Sequence, residues 1–320
     1  MIVIEQIESL EREYPYVVVA LGTFDGVHLG HQQILGRVVQ RARQERGTAV
    51  VFTFSRHPLE VVNPSKAPPL ITPLPIKQEI IRAIGIDLLV AVTFTPFLAG
   101  TPPGDFVKTY LVDRLKARFV CIGYDFAFGS GRAGTPGILQ SLGEEHRFGV
   151  EVIPAMTADG QVVSSTLIRG MLHRGELLQA AHYMGRPYAI RGTVERGVGR
   201  GKGLGYPTAN LPATPDPLVR DGVYVGQAWL RHGLRRALIN IGTAPTFGGG
   251  PRRVEVHLLE ASEDLYGETL TVFFLGRLRD ERRFESRELL LQQIESDKRE
   301  AGEVFARFPR FSPEKWALLP

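Results

Sequence analysis

Five apolar runs alternating with amphipathic stretches fill residues 16–154, and this alternation limits the fold more than any other feature. The runs 16–21, 49–54, 88–94, 119–122 and 150–154 read as buried strands. The stretches 28–46, 77–84, 103–115 and 136–147 have helical periodicity, with Ile80, Ile81 and Ile84 on one face of the second. Strands alternating with helices predict a doubly wound α/β sheet, whose ligands bind at the carboxyl ends of strands. The stretch 63–75 carries five prolines and is expected to be a surface loop. From residue 189 the texture changes. Short segments at 189–195, 224–230, 236–241, 253–259 and 269–275 are punctuated by glycine, proline and asparagine, and helical periodicity returns only at 286–305. This predicts a small antiparallel β-barrel domain with a C-terminal helix. With a helix over 165–181, the boundary falls near 183–187, giving domains 1–183 and 184–320.

Composition supports two cores: 320 residues, 43% hydrophobic and 22% charged, exclude a disordered chain. The single cysteine, Cys121, excludes an intrachain disulfide and a thiolate-rich metal site. No apolar stretch approaches the ~20 residues of a bilayer span, and no basic region followed by an apolar core opens the chain. A soluble cytoplasmic protein with no membrane partner is expected. Residues 1–180 hold 17 Lys+Arg and 17 Asp+Glu, so the net charge of +4 lies in 181–320, as 21 against 17. So small a surplus fits phosphorylated small molecules better than nucleic acid.

Between the first strand and the first helix lies Gly22-Thr23-Phe24-Asp25-Gly26-Val27-His28-Leu29-Gly30-His31. Glycines let backbone N–H groups approach an anion, and a helix N-terminus adds partial positive charge. His28 and His31, three apart, share a helix face and can donate to a phosphate. A turn with two surface histidines is the plainer alternative. The segment resembles the signature of the HIGH-like adenylyl-transfer superfamily of nucleotidyltransferases. Ser164-Ser165-Thr166-Leu167-Ile168-Arg169 is similar to that superfamily's second ATP element. Blocks at 53–58 and 123–132 are similar to those of its prokaryotic FAD synthetase branch. The resemblance implies nucleotide binding by Gly22, Thr23, Phe24, Asp25, Gly30, Ser164, Ser165 and Thr166, and catalysis by His28, His31 and Arg169. Phe54, Asp125, Phe126 and Phe128 are candidates for a flavin slot, with core packing as the alternative for each phenylalanine. No Walker sequence occurs, which excludes a standard P-loop.

The second half carries Gly199-Arg200-Gly201-Lys202-Gly203-Leu204-Gly205-Tyr206-Pro207-Thr208-Ala209-Asn210. A loop with four alternating glycines can fold over phosphates, and it fails the G-x-G-x-x-G pattern of a dinucleotide fold. Thr208 and Asn210 are two apart, so on a strand they share a face. Their hydroxyl and amide oxygens are hard donors that suit Mg²⁺ when phosphates and water complete its sphere. In 254–259, Glu255 and His257 alternate with apolar residues, so Glu255 points away from the packed face; a solvated glutamate is its plainer reading. With the blocks at 221–224, 240–247 and 265–268, the set resembles bacterial-type riboflavin kinase. That resemblance implies Gly199, Gly201, Gly203, Gly205 and Pro207 at the nucleotide, Thr208 and Asn210 at Mg²⁺, and Glu255 as general base.

The two resemblances together cover about residues 15 to 305. By them the chain is identified as a member of the bifunctional riboflavin kinase/FAD synthetase family, using riboflavin, FMN and ATP with Mg²⁺. The kinase step needs a base because an alcohol is a poor nucleophile, whereas the FMN phosphate is already an anion. Hence no catalytic carboxylate is expected in the front site. Two other readings stay open at this point. One gives the front domain a different acceptor. The other makes the barrel an RNA-binding module, although its Tyr206, Tyr224 and Trp229 are scattered rather than interleaved with cations.

Overall fold

The computed structural model describes residues 1–10, 12–196, 205–212, 216–243, 252–259 and 265–308. The chain divides into two compact units, Met1–Ser165 and Thr166–Pro320.

The first unit is built on an all-parallel sheet of β1 (Ile2–Ile4), β2 (Val17–Leu21), β3 (Thr48–Phe54), β4 (Leu88–Val92), β5 (Ala117–Gly123) and β6 (Gly149–Ile153), in the order β1-β4-β3-β2-β5-β6. Every residue of β2 and β4 is buried. Strands covered on both faces read as continuous apolar runs, which is why they stand out in the sequence. The helices are α1 (Leu29–Gln44), α2 (Leu59–Val62), α3 (Leu74–Ile84), α4 (Pro96–Gly100), α5 (Pro103–Phe106) and α6 (Pro136–His146). On α1, Ile34, Leu35, Val38 and Ala42 form the buried stripe. After α5 the chain continues as a wider π-wound segment, Val107–Arg114. Winding proceeds outward from β2 through β3 to β4, then returns to add β5 and β6 on the other side. The carboxyl ends of β2 and β5 therefore flank the switch point, where an open α/β sheet offers its crevice.

Two expectations need correction here. The stretch 63–75 is not loop throughout, since Pro64–Lys66 forms a helical turn and α3 begins at Leu74. The helix expected over 165–181 is two helices, α7 (Ser165–Arg174) and α8 (Leu177–Met184). Gly175 breaks it by taking a left-handed φ of 79°, with the amides of Gly175 and Glu176 closing onto Leu172 and Met171. A β-carbon at Gly175 would come within 3.2 Å of Arg277 Cδ, so close packing adds a second reason for glycine. Before α7, β7 (Thr157–Ala158) and β8 (Gln161–Val162) form a small hairpin through Asp159-Gly160, both at positive φ.

The second unit is an antiparallel sheet of β9 (Tyr188–Thr193), β10 (Ala209–Leu211), β11 (Gly222–Leu230), β12 (Gly233–Gly242), β13 (Arg253–Leu258) and β14 (Thr269–Arg279). Its order is β10-β13-β12-β11-β14-β9, and a bridge from Glu195 to Asn210 links the two ends into a barrel-like turn. The β11–β14 register slips beside Gly226, where a β-carbon would lie 2.3 Å from the Phe273 carbonyl oxygen. The closing helix α9 (Arg287–Arg307) lays Ala301 and Phe305 on Val225, Leu238 and Leu275. Its Asp297, 2% exposed, pairs through both carboxylate oxygens with the Arg279 guanidinium, at 2.7 Å for the closest contact. Among the described residues no helix is long and apolar enough to cross a membrane.

Candidate active sites

In the first unit the turn 22–28 leaves β2 under considerable backbone constraint. Phe24 (φ 47°), Gly26 (φ 83°) and Val27 (φ 36°) all lie in the left-handed region, and two of the three are not glycine. Such residues each cost on the order of 1–3 kcal/mol and persist only where packing fixes them. Here the side chains of Phe24 and Val27 are fully buried. Gly22 fits because the Phe24 ring lies 3.0 Å from where its β-carbon would be. Asp25 is 1% exposed, and its carboxylate accepts from the amides of Ile71 (3.0 Å) and Thr72 (3.0 Å), tying the turn to the segment before α3.

His28 ends the turn and caps α1, its Nδ1 accepting from the His31 amide at 3.3 Å. An imidazole nitrogen that accepts carries no proton, so in the neutral ring the proton sits on Nε2. The two imidazoles stack with centroids 3.6 Å apart, and the Phe24 ring stands edge-on to His31. Gly30 makes the stack possible, since a β-carbon there would come within 3.3 Å of the His28 ring. The second ATP element joins this turn through Ser165, whose Oγ donates to the Asp25 carbonyl at 2.8 Å. Ser164 is half-buried just before it; Thr166 is exposed and Arg169 half-buried on α7. The turn thus brings stacked imidazoles and the start of α1 to the carboxyl end of β2.

Sequence reasoning passed over Lys77. It reads as one polar residue of an amphipathic helix, yet it is 3% exposed. Its ammonium donates to the Thr23 carbonyl at 2.9 Å and the Phe54 carbonyl at 3.3 Å, joining the ends of β2 and β3. The Thr53 hydroxyl donates to the same Thr23 carbonyl at 3.0 Å. Burial lowers the Lys77 pKa to about 8, with the charge of Asp25 opposing that shift.

The aromatic candidates behave unequally. Phe128 is buried in the core, stacked near-parallel with half-buried Phe126 at 5.6 Å and tilted against Phe106. Phe54 is half-buried and meets Phe94 edge-to-face at 5.1 Å, and Asp125 is exposed. Nearby His57 has a structural task, its Nδ1 accepting from the Leu59 amide at the start of α2.

In the second unit the candidates meet through strand register. Asn210 on β10 and Asn240 on β12 both stand opposite Glu255 on β13. The apolar neighbours Val254, Val256, Ile239 and Ile241 are fully buried on the other face, so the three polar residues form one cross-strand row, each half-buried. Thr208 immediately precedes β10. The Asn210 Nδ2 donates to the Thr208 carbonyl at 3.4 Å, an orientation that leaves Oδ1 as the acceptor end of the amide. His257, two residues beyond Glu255, holds the Pro207 carbonyl at 2.9 Å and so fixes the approach to Thr208. Gly205 has a φ of 85°, while Gly199, Gly201 and Gly203 lie outside the described residues. Tyr206 bonds to Glu295 of α9, which holds that carboxyl below its usual pKa. Among the described residues no three His, Cys, Asp or Glu side chains gather as a metal cage.

A family model for FAD synthetase matches residues 11–167, and one for riboflavin kinase matches residues 184–305. The bifunctional riboflavin kinase/FMN adenylyltransferase of Escherichia coli (strain K12) is 35% identical over 289 residues, covering 90% of this chain and 92% of its own. That of Bacillus subtilis (strain 168) is 34% identical over 304 residues, covering 93% and 95%. A crystal structure from Streptococcus pneumoniae, named as a macrolide-efflux protein, is 30% identical with a TM-score of 0.81, covering 94% of this chain and 98% of that one.

Proposed function

The chain belongs to the family of bifunctional riboflavin kinases/FMN adenylyltransferases, and on that premise we propose how its two sites divide the work. It phosphorylates riboflavin to FMN with ATP, and it joins FMN to the adenylyl group of ATP to give FAD and pyrophosphate. Its substrates are small molecules. The adenylyl-transfer domain is 1–183 and the kinase domain 184–320, working in the cytoplasm, where ATP is abundant.

In the kinase step, Glu255 takes the proton from the 5′-hydroxyl of riboflavin as that oxygen attacks the γ-phosphorus and ADP leaves. Asn240 and Asn210 flank it in the row. The Thr208 hydroxyl and Asn210 Oδ1 suit a hard divalent cation, and Mg²⁺ held there would offset the phosphate charge. Gly199, Gly201, Gly203, Gly205 and Pro207 line the nucleotide.

In the adenylyl step the attacking group is the FMN phosphate, already anionic, so alignment and positive potential are what the site must supply. His28, His31, Arg169 and the amides of Thr23 and Gly30 provide them, with Gly22 shaping the turn and Ser164, Ser165 and Thr166 at the leaving pyrophosphate. Phe54, Phe126, Phe128 and Asp125 border the flavin.

One observation carries the division of roles. Asp25, the only carboxylate of the 22–31 turn, is engaged with the Ile71 and Thr72 amides, whereas Glu255 stands half-buried in a cross-strand row opposite Asn210 and Asn240. The test is to supply riboflavin, ATP and Mg²⁺ and separate the flavins. FMN followed by FAD is expected; retention of RNA with no flavin turnover would overturn the reading.

A further inference from the structure

The segment after β5 carries an arginine to which the two reactions have given no task. Residues 128–134 form a closed loop, in which Phe128 and Gly134 exchange both backbone bonds, at 3.0 and 2.9 Å, around a helical turn at Ser130–Arg132. The Ser130 amide donates to the Thr101 carbonyl at 2.7 Å, and a β-carbon at Gly129 would come within 2.9 Å of Pro103. The loop is thereby fastened to the chain that leaves β4, although β3 and β2 stand between β4 and β5 in the sheet. Both partners of that tie follow strand carboxyl ends, the side on which the crevice opens. Arg132 takes a φ of 59°, directly after Gly131 at 61°. Arg46, Lys116 and Arg147 share that region, but each follows a helix of two or more turns, where a left-handed residue is ordinary. At Arg132 the conformation has a cost that glycine would avoid. Packing does not offset it, since the side chain is exposed and, among the described residues, makes no hydrogen bond or ion pair. A guanidinium held on a strained, pinned loop serves a ligand better than it serves the fold.

Resting on the adenylyl-transfer reading of the first unit, we propose that Arg132 binds the phosphate of FMN. The loop starts at Phe128, which stacks on Phe126 where the flavin ring is set, and four residues later the guanidinium meets the other end of the same molecule. Its forked N–H donors match two phosphate oxygens at once. The third oxygen is left to bond to the α-phosphorus of ATP as the bond to pyrophosphate breaks. The positive charge also offsets the repulsion between the FMN phosphate and the triphosphate, two anions that must come into contact. Riboflavin has no phosphate for Arg132 to hold, so this residue makes the adenylyl site select FMN over its precursor.

The experiment measures, on the full chain with Mg²⁺, the KM for FMN and the KM for ATP in FAD formation. The riboflavin KM of the kinase and the melting temperature are read beside them. Arg132→Gly removes the charge and suits the left-handed backbone. It should raise the FMN KM by about 10–100-fold, leave the ATP KM and the riboflavin KM level, and melt no earlier than the natural protein. Arg132→Lys keeps a charge without the fork, and its FMN KM should fall between the two. An unchanged FMN KM in Arg132→Gly overturns the proposal, and so does an equal rise in the ATP KM. Earlier melting with both KM values raised overturns it too, since a residue serving only the fold would give that result. A natural protein that forms no FAD from FMN and ATP would instead refute the adenylyl-transfer reading itself.

Discussion

The two proposed sites would handle the same nucleotide with opposite architectural means. The front one is a turn, its shape imposed by Phe24 and Val27 at positive φ, a capping imidazole and a buried carboxylate on two amides. The rear one is a face of a sheet, where Asn210, Glu255 and Asn240 come together because three strands have one register. On the proposed division of work, the difference follows the nucleophile. A phosphate that is already charged has to be aligned, and a constrained backbone does that; an alcohol has to lose a proton, and a side chain projecting from a rigid strand does that.

The sharpest way to break this contrast is Glu255→Gln. It should lower riboflavin phosphorylation by about 10²–10⁴-fold while FMN-to-FAD conversion, assayed by supplying FMN directly, stays near its starting rate. Loss of both activities would mean that the sites are not independent. His28→Ala is the mirror experiment. FAD formation should fall by about 10²–10³-fold, so that FMN accumulates from riboflavin; undiminished FAD synthesis would remove the imidazole from the chemistry. Thr208→Val sharpens the comparison on the metal side. The Mg²⁺ concentration for half-maximal kinase rate should rise about tenfold, and an unchanged titration would count against a cation at that hydroxyl. The smallest expected change comes from Gly30→Ala, whose β-carbon crowds the His28 ring at 3.3 Å. A severalfold drop in adenylylation kcat, with kinase activity kept, would show that the stacked pair needs its spacing.

The α/β order was legible because doubly covered strands have to be apolar throughout, and the 22–31 motif could be set between the first strand and the first helix from that order. Lys77 was not legible. Its burial depends on the ends of β2 and β3, separated from it by 54 and 23 residues, and no local pattern distinguishes it from a solvated lysine. Asp25 was visible as part of a motif, but its bonds to Ile71 and Thr72 depend on a segment the sequence presents only as proline-rich. The row in the second unit was half legible: alternation gave the facing of Glu255, while register, which sequence does not encode locally, brought Asn240 beside it. The three residues of β10 were too few to show a period.

That brevity has a dynamic consequence. Among the described residues, β10 is held along one side by β13 and on the other by a bridge between Glu195 and Asn210, so it is the seam of the barrel, with few ladder bonds to break. Local opening is cheapest where the ladder is shortest, and amide exchange at 209–211 should outpace that of β11 and β12. The strand bearing Asn210, one of the proposed cation donors, would thus open more readily than its longer neighbours in the barrel.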